Sequence, residues 1–180
     1  MATKISFDLV EPLGFNKSMW GKTPSELSKP IKEIANNFML TFPESKPLYL
    51  YSEISGTGKT SLAMYIAEKA FYRKNAVKCF NCEDIINSFI ANEFPDVSKL
   101  HLAILDGLGL EFRPSQTEDN NVATKALELF FKTLINNDVN FIVTGKVVPA
   151  KLKLRYSEQL ASYLSKCEVV EFHNKDFRKL

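Results

Sequence analysis

Apolar residues along this chain fall into short runs separated by longer stretches of helical spacing. Residues 48–51, 76–80, 102–105, 140–144 and 168–172 read as five strands. The third is continuous in apolar character, as strands covered on both faces are. Ile31, Ile34, Ala35, Phe38 and Met39 recur at helical spacing before the first strand. Leu62, Ala63, Ile66, Ala67 and Ala70 mark the buried face of a helix over 59–72. Ile85, Ile86, Phe89 and Ile90 follow a cap at Asn81-Cys82-Glu83-Asp84. A polar loop over 113–121 then leads to a helix capped by Asn121, with Ala126, Leu127, Phe130, Leu134 and Ile135 on its inner face. Residues 149–165 read as an interrupted helix. Strands alternating with helices predict an α/β fold: a mostly parallel five-stranded sheet with helices on both faces.

The pattern carries chemistry at its first strand-to-helix junction. Tyr49-Leu50-Tyr51 runs into Ser55-Gly56-Thr57-Gly58-Lys59-Thr60-Ser61, which has the layout of a phosphate-binding P-loop. Loop N–H groups and the helix's first turn would face a polyphosphate. Lys59 would reach the outer phosphates, and the Thr60 hydroxyl would bind Mg²⁺. The motif's first glycine is replaced by Glu53, which must turn its carboxylate away from the phosphates or repel them. A second Gly-Lys-Thr, Gly21-Lys22-Thr23, lacks both the first glycine and a preceding strand. Thr23-Pro24-Ser25-Glu26 there fits a capping box with Pro at N1, and Pro30 breaks or restarts that helix.

The third strand ends in Asp106, the Walker B pattern. Parallel strands present their C-terminal ends on one sheet edge, so Asp106 can share Mg²⁺ with Thr60. Gly107 follows it where many P-loop ATPases carry a water-orienting Glu; Glu111 is the nearest acid downstream. Mg-nucleotide binding therefore reads more strongly than rapid hydrolysis.

Composition narrows the rest. The chain has 180 residues, 45% of them hydrophobic, and a net charge of +2. Such a balance neither demands nor excludes nucleic acid. No apolar run is long enough to span a membrane and no signal-peptide core appears, which predicts a cytoplasmic protein. Cys79 and Cys82 form a C-x-x-C, but no second Cys or His pair accompanies them, so Cys79 reads as a strand hydrophobe. Lys146, Lys151, Lys153 and Arg155 form one basic cluster; Lys175, Arg178 and Lys179 form another. Interspersed acids favour solvated faces over a DNA surface.

With these motifs in order, the chain resembles the AAA+ domain of the DnaC/DnaI-type helicase loaders and the related IstB transposition ATPases. The resemblance covers about 46–178 and rests on Gly56-Thr57-Gly58-Lys59-Thr60, Phe80-Asn81-Cys82-Glu83-Asp84, and Ile104-Leu105-Asp106-Gly107-Leu108-Gly109-Leu110-Glu111. Phe141-Ile142-Val143-Thr144 and the stretch 152–164 continue it. Residues 1–45 then form an N-terminal helical extension and 46–180 the P-loop AAA+ domain. The resemblance implies ATP and Mg²⁺ as cofactors. It implies a replicative helicase or other replication protein as partner, with single-stranded DNA or a homo-oligomer as further partners. It implies catalytic roles for Asp106, Thr144, Glu111 and Arg155, and a sensor role for Arg178 at the nucleotide. Lys146 stands where the family has Asn, and Gln159 and Tyr163 stand where it has trans-acting arginines. Those changes imply slow or partner-stimulated hydrolysis, since neither replacement stabilises developing phosphoryl charge as Arg does. Fewer than about fifty residues precede the P-loop, too few for the family's helicase-binding domain, so that part is expected to be missing or supplied by another protein. Two other readings remain open: a small-molecule P-loop kinase, and a non-catalytic replication adaptor.

Overall fold

The computed structural model describes residues 13–14, 27–110 and 117–173. The element order is α1 (Lys29–Thr41), β1 (Leu48–Tyr51), α2 (Lys59–Tyr72), β2 (Val77–Asn81), α3 (Cys82–Ile90) and β3 (Leu102–Leu108). There follow α4 (Thr117–Asn136), β4 (Asn140–Gly145), α5 (Leu152–Arg155), α6 (Glu158–Ser165) and β5 (Glu168–Glu171). The strands form one sheet in the order β2-β3-β4-β1-β5, and every pairing is parallel.

Strand periodicity divides the core in two. Leu48, Leu50, Leu102, Ile104 and Ile142 pack with α1 and α2 on one face. Their neighbours Tyr49, Tyr51, Ala103, Leu105, Phe141 and Val143 pack with α3, α4, α5 and α6 on the other. Successive side chains on a strand point to opposite faces, so a strand apolar at every position needs helices on both. The buried face expected for α2 is observed, with Leu62, Ala63, Ile66, Ala67 and Ala70 all fully buried. Asn81 caps α3, its side chain accepting from Glu83 N at 3.0 Å.

Three expectations need correction. The polar stretch over 113–121 is not all loop, because α4 begins at Thr117. No Gly or Pro interrupts the sequence from Gln116 onward, and polar residues suit a helix's opening turn. Ile90 and Ile135 are exposed, each lying near the end of its helix and beyond the reach of the sheet. The third strand does not stop at Leu105 but continues through Asp106 to Leu108. The capping box at 23–26 lies outside the described residues.

Cys79 packs in the α1/α2 core and Cys82 in the opposite one, so the two thiols sit on different faces of the sheet. Among the described residues, no helix is long and apolar enough to cross a membrane.

Candidate functional site

The site stands where the C-terminal ends of β1, β3 and β4 meet the start of α2. Gly58 occupies the N-cap of α2, and Lys59 is its first residue. The loop before it is tied down by Ser52, whose hydroxyl donates to Phe172 O at 2.8 Å and accepts from Ile54 N at 3.3 Å. Nothing in the residue pattern singled out Ser52. Glu53 is exposed, and it is not among the residues lining the cleft. The carboxylate is thus directed to solvent, as a functioning phosphate loop requires.

Lys59 is buried. Its ammonium donates to Ile54 O at 3.0 Å, Thr57 Oγ1 at 3.3 Å and Ser52 O at 3.4 Å. These are bonds to neutral acceptors, and an anionic phosphate oxygen makes a stronger one. Thr57 and Ser61 are buried and serve the loop and helix start, whereas Ser55 and Gly56 line the cleft.

Asp106 lies across the cleft. Its Oδ1 accepts from Thr60 Oγ1 at 2.9 Å and from Thr144 Oγ1 at 2.6 Å. Thr144 Oγ1 accepts in turn from Gly107 N at 3.1 Å. Two strand ends, of β3 and β4, and the start of α2 therefore converge on a single carboxylate oxygen. The register between β3 and β4 shifts between Leu105 and Leu108, so Asp106 and Gly107 form an irregular step that aims the carboxylate at the P-loop. Gly107 has φ +92°, a left-handed conformation that a Glu adopts only with strain.

The cleft is lined by the P-loop, by 106–108 with Leu110, and by 144–146, and it encloses about 220 Å³. Pockets that hold a whole ligand run to roughly 300–1,000 Å³, so this space fits phosphate groups and a hydrated cation. The donor set of Thr60, Thr144 and Asp106 is all oxygen, which suits a hard cation such as Mg²⁺. Asp106 is buried, and two hydroxyls donate to one of its oxygens. A cation there would complete the site.

Lys59, Thr60, Asp106 and Thr144 are thus brought together. Arg155 is not among the cleft-lining residues; its Nη2 donates to Gly109 O at 3.1 Å and braces the loop after β3. Gln159 Nε2 donates to Tyr163 Oη at 2.7 Å, so the two side chains at the family's arginine positions bond to each other. Glu111 and Arg178 lie outside the described residues. Sequence reasoning missed Leu108 and Leu110 as cleft walls, and Tyr49 as a brace. The Tyr49 hydroxyl donates to Val147 O at 2.6 Å in the buried interior. A phenol in a wholly apolar strand was the available signal.

No family model matches the chain, and no curated protein matches it. Solved structures do. The chain is similar to the crystal structure of DnaI at TM-score 0.67 and 17% identity, over 92% of this chain and 95% of that one. The fold is that of the AAA+ P-loop domains. The DnaC helicase loader matches at TM-score 0.66 and 19% identity, over 87% of this chain and 99% of the loader. A DnaA replication initiator bound to AMPPCP and single-stranded DNA matches at TM-score 0.68 and 20% identity, over 89% of this chain. The chain spans about half the length of two AMPPCP-bound DnaA structures and of a DNA replication initiation factor that it matches.

Proposed function

We propose that this chain is an ATP-binding AAA+ protein of DNA replication, one that contacts a replicative helicase or single-stranded DNA and hydrolyses ATP slowly or on partner stimulation. The observation that carries the reading is the convergence of Lys59, Thr60, Asp106 and Thr144 on one phosphate-sized cleft. The similarity to DnaI and DnaC across nearly the whole of both chains supports the replication setting. The DnaA bound to AMPPCP and single-stranded DNA supports nucleotide and DNA as ligands of this fold.

Each residue then has a task. The loop N–H groups and the start of α2 orient the phosphates, and Lys59 trades its carbonyl partners for phosphate oxygens. Asp106 and Thr60 would hold Mg²⁺, which would neutralise charge on the outer phosphates. Thr144 fixes the Asp106 carboxylate through its hydroxyl. The position after Asp106 is a glycine, and the arginine positions on α6 hold a Gln–Tyr pair. Binding is therefore better provided for than turnover.

The test is nucleotide binding and turnover on the purified chain, with Lys59→Ala as the control. Expected are Mg-ATP binding abolished by Lys59→Ala and little turnover by the protein alone. Fast unaided turnover would sink the slow-hydrolysis part. A pull-down from the native host with and without ATP tests the setting: ATP-dependent capture of a helicase supports the loader reading. Capture indifferent to ATP and to Lys59→Ala favours an adaptor, and phosphate transfer to a nucleoside favours a kinase.

A further inference from the structure

The two edges of the sheet are finished differently. Beside β2, Cys79 N donates to Leu13 O at 2.6 Å, so the chain at residues 13–14 covers that edge. β5 forms the other edge. Glu168 N donates to Pro47 O and Phe172 N to Tyr51 O, both at 2.8 Å, which turns the peptide groups of 168, 170 and 172 toward β1. The N–H and C=O groups of Val169 and Glu171 therefore face outward, and no described residue bonds to them. Glu168, Val169 and Glu171 are exposed.

A cavity of about 470 Å³ opens beside the start of this strand, at the end of the sheet away from the P-loop. Ile34, Phe38 and Leu48 give it apolar surface, and Glu44, Lys46 and Glu168 stand among its polar lining. The loop carrying Glu44 and Lys46 is pinned. Buried Asn140 donates to Pro43 O at 2.9 Å and to Ser45 O at 2.7 Å. None of Glu44, Lys46 and Glu168 makes an ion pair among the described residues.

The strand Glu168-Val169-Val170-Glu171 reads the same in both directions. A second copy paired in register through β5 would set glutamate against glutamate whichever way it ran. Like charges directly opposite are destabilising, so the edge repels its own copy. Its complement in either direction is basic-apolar-apolar-basic. Glu168 and Val170 share the α1 face, and Val169 and Glu171 the opposite one, so each face offers an incoming strand one acid and one valine. A lysine or arginine opposite Glu168 can lay its stem over Ile34 and Phe38 in the cavity and keep its charge at the acid.

We infer that the free edge of β5 takes an extended basic-apolar-apolar-basic segment of another protein as an added strand, with one basic side chain seated in the cavity between α1 and β5. The inference is independent of the nucleotide reading.

The experiment is fluorescence anisotropy of labelled peptides titrated with the full chain. One peptide is Ser-Lys-Val-Val-Lys-Ser and its counterpart is Ser-Glu-Val-Val-Glu-Ser. Wild type is expected to bind the lysine peptide about tenfold more tightly than the glutamate peptide, and the variant Glu168→Lys/Glu171→Lys should invert that preference. Both residues are exposed, so the variant should melt with wild type. N-methylated lysine peptides on wild type separate strand pairing from plain charge attraction. Methyl groups on one alternate set of nitrogens should abolish binding, and on the other set be tolerated. No binding of the lysine peptide, no inversion, or equal tolerance of both methylated sets overturns the inference. Binding that appears only after residues 174–180 are removed makes the chain's own C-terminal tail the occupant and overturns the foreign partner. Sedimentation that shows a dimer dissociated by the lysine peptide makes a second copy the occupant and does the same.

Discussion

Gly145→Ala tests the packing on which the cleft depends. A Cβ at this position would stand 2.7 Å from Tyr49 Oη, 2.8 Å from Tyr49 Cε2 and 3.1 Å from Leu108 O. Carbon atoms pack comfortably at about 3.5–4.0 Å, so the methyl group needs most of an ångström more room. The Tyr49 ring cannot swing aside cheaply. It is fully buried, lies 6.3 Å from the Tyr51 ring, and its hydroxyl holds Val147 O. Leu108 O is held as well, because it accepts from Lys146 N. Overpacking costs about 1–3 kcal/mol, and a buried carbonyl left without its donor costs a similar amount. Taking about 3 kcal/mol in all, and about 2–4 °C per kcal/mol for a chain of this size, the melting temperature should fall by roughly 6–12 °C. Urea unfolding and thermal melts would measure it for Gly145→Ala, Tyr49→Leu and the double variant. Tyr49→Leu is destabilising by itself but vacates the space the methyl needs. The double variant should therefore be more stable than the sum of the singles predicts, by about 1 kcal/mol or more. A Gly145→Ala protein that melts with wild type, or strict additivity in the cycle, would refute the reasoning.

Two further outcomes follow from buried titratable groups. Glu68 on α2 is 8% exposed, and burial pushes its carboxyl pKa above the usual 4.5, with Lys69 pulling partly the other way. The folded state thus holds a proton more tightly than the unfolded chain, and stability is lost as pH rises from the unfolded pKa through the folded one. Glu68→Gln should raise the melting temperature at pH 8, and the gain should shrink as pH falls through the folded pKa and be gone below about 4.5; an equal gain at both ends would count against this. None of Cys79, Cys82 and Cys167 forms a disulfide, and all are buried; burial pushes Cys167 up to about 12 and, with Asp106 and Asp84 nearby, holds Cys79 well above the usual thiol range. A disulfide thiol reagent at pH 8 should find no reactive thiol in the folded protein and all 3 after unfolding in urea, so rapid labelling of the native chain would contradict the burial.

Most of the fold was legible because its signals are local. The run 48–51, the P-loop glycines and the spacing of Leu62, Ala63, Ile66, Ala67 and Ala70 each announce an element within a few residues. The site was legible to the same degree: Lys59, Thr60 and Asp106 carry their identity in a motif. What was not legible is non-local. The strand order depends on which strands pair across long stretches of chain, as Leu48 does with Glu168, and no local pattern encodes it. The brace from Tyr49 to Val147 O spans 98 positions. Residue 105 looked like the end of a strand because an aspartate follows; Asp106 in fact still pairs in register with Asn81, and a bulge carries the strand past it.

That bulge gives one departure from the ATPase pattern, the glycine after Asp106, a physical basis. At Gly107 the chain takes φ +92° while its N–H is given to the Thr144 hydroxyl, and the same hydroxyl is given to Asp106. A glutamate at 107 would have to adopt the left-handed conformation at a cost of about 1–3 kcal/mol, or release the bond to Thr144 and with it the aim of Asp106. The backbone that fixes the carboxylate for binding is thus poorly suited to an acid one residue later. Gly107 and Lys146, where the family has a water-orienting Glu and a sensor Asn, line the cleft, whereas Gln159 and Tyr163 do not. Lys59, Thr60 and Asp106, the groups that would grip phosphate and cation, line it as well. On the proposed function, the division follows the chemistry: the groups that would hold a nucleotide match the family resemblance, and those that would speed its hydrolysis depart from it.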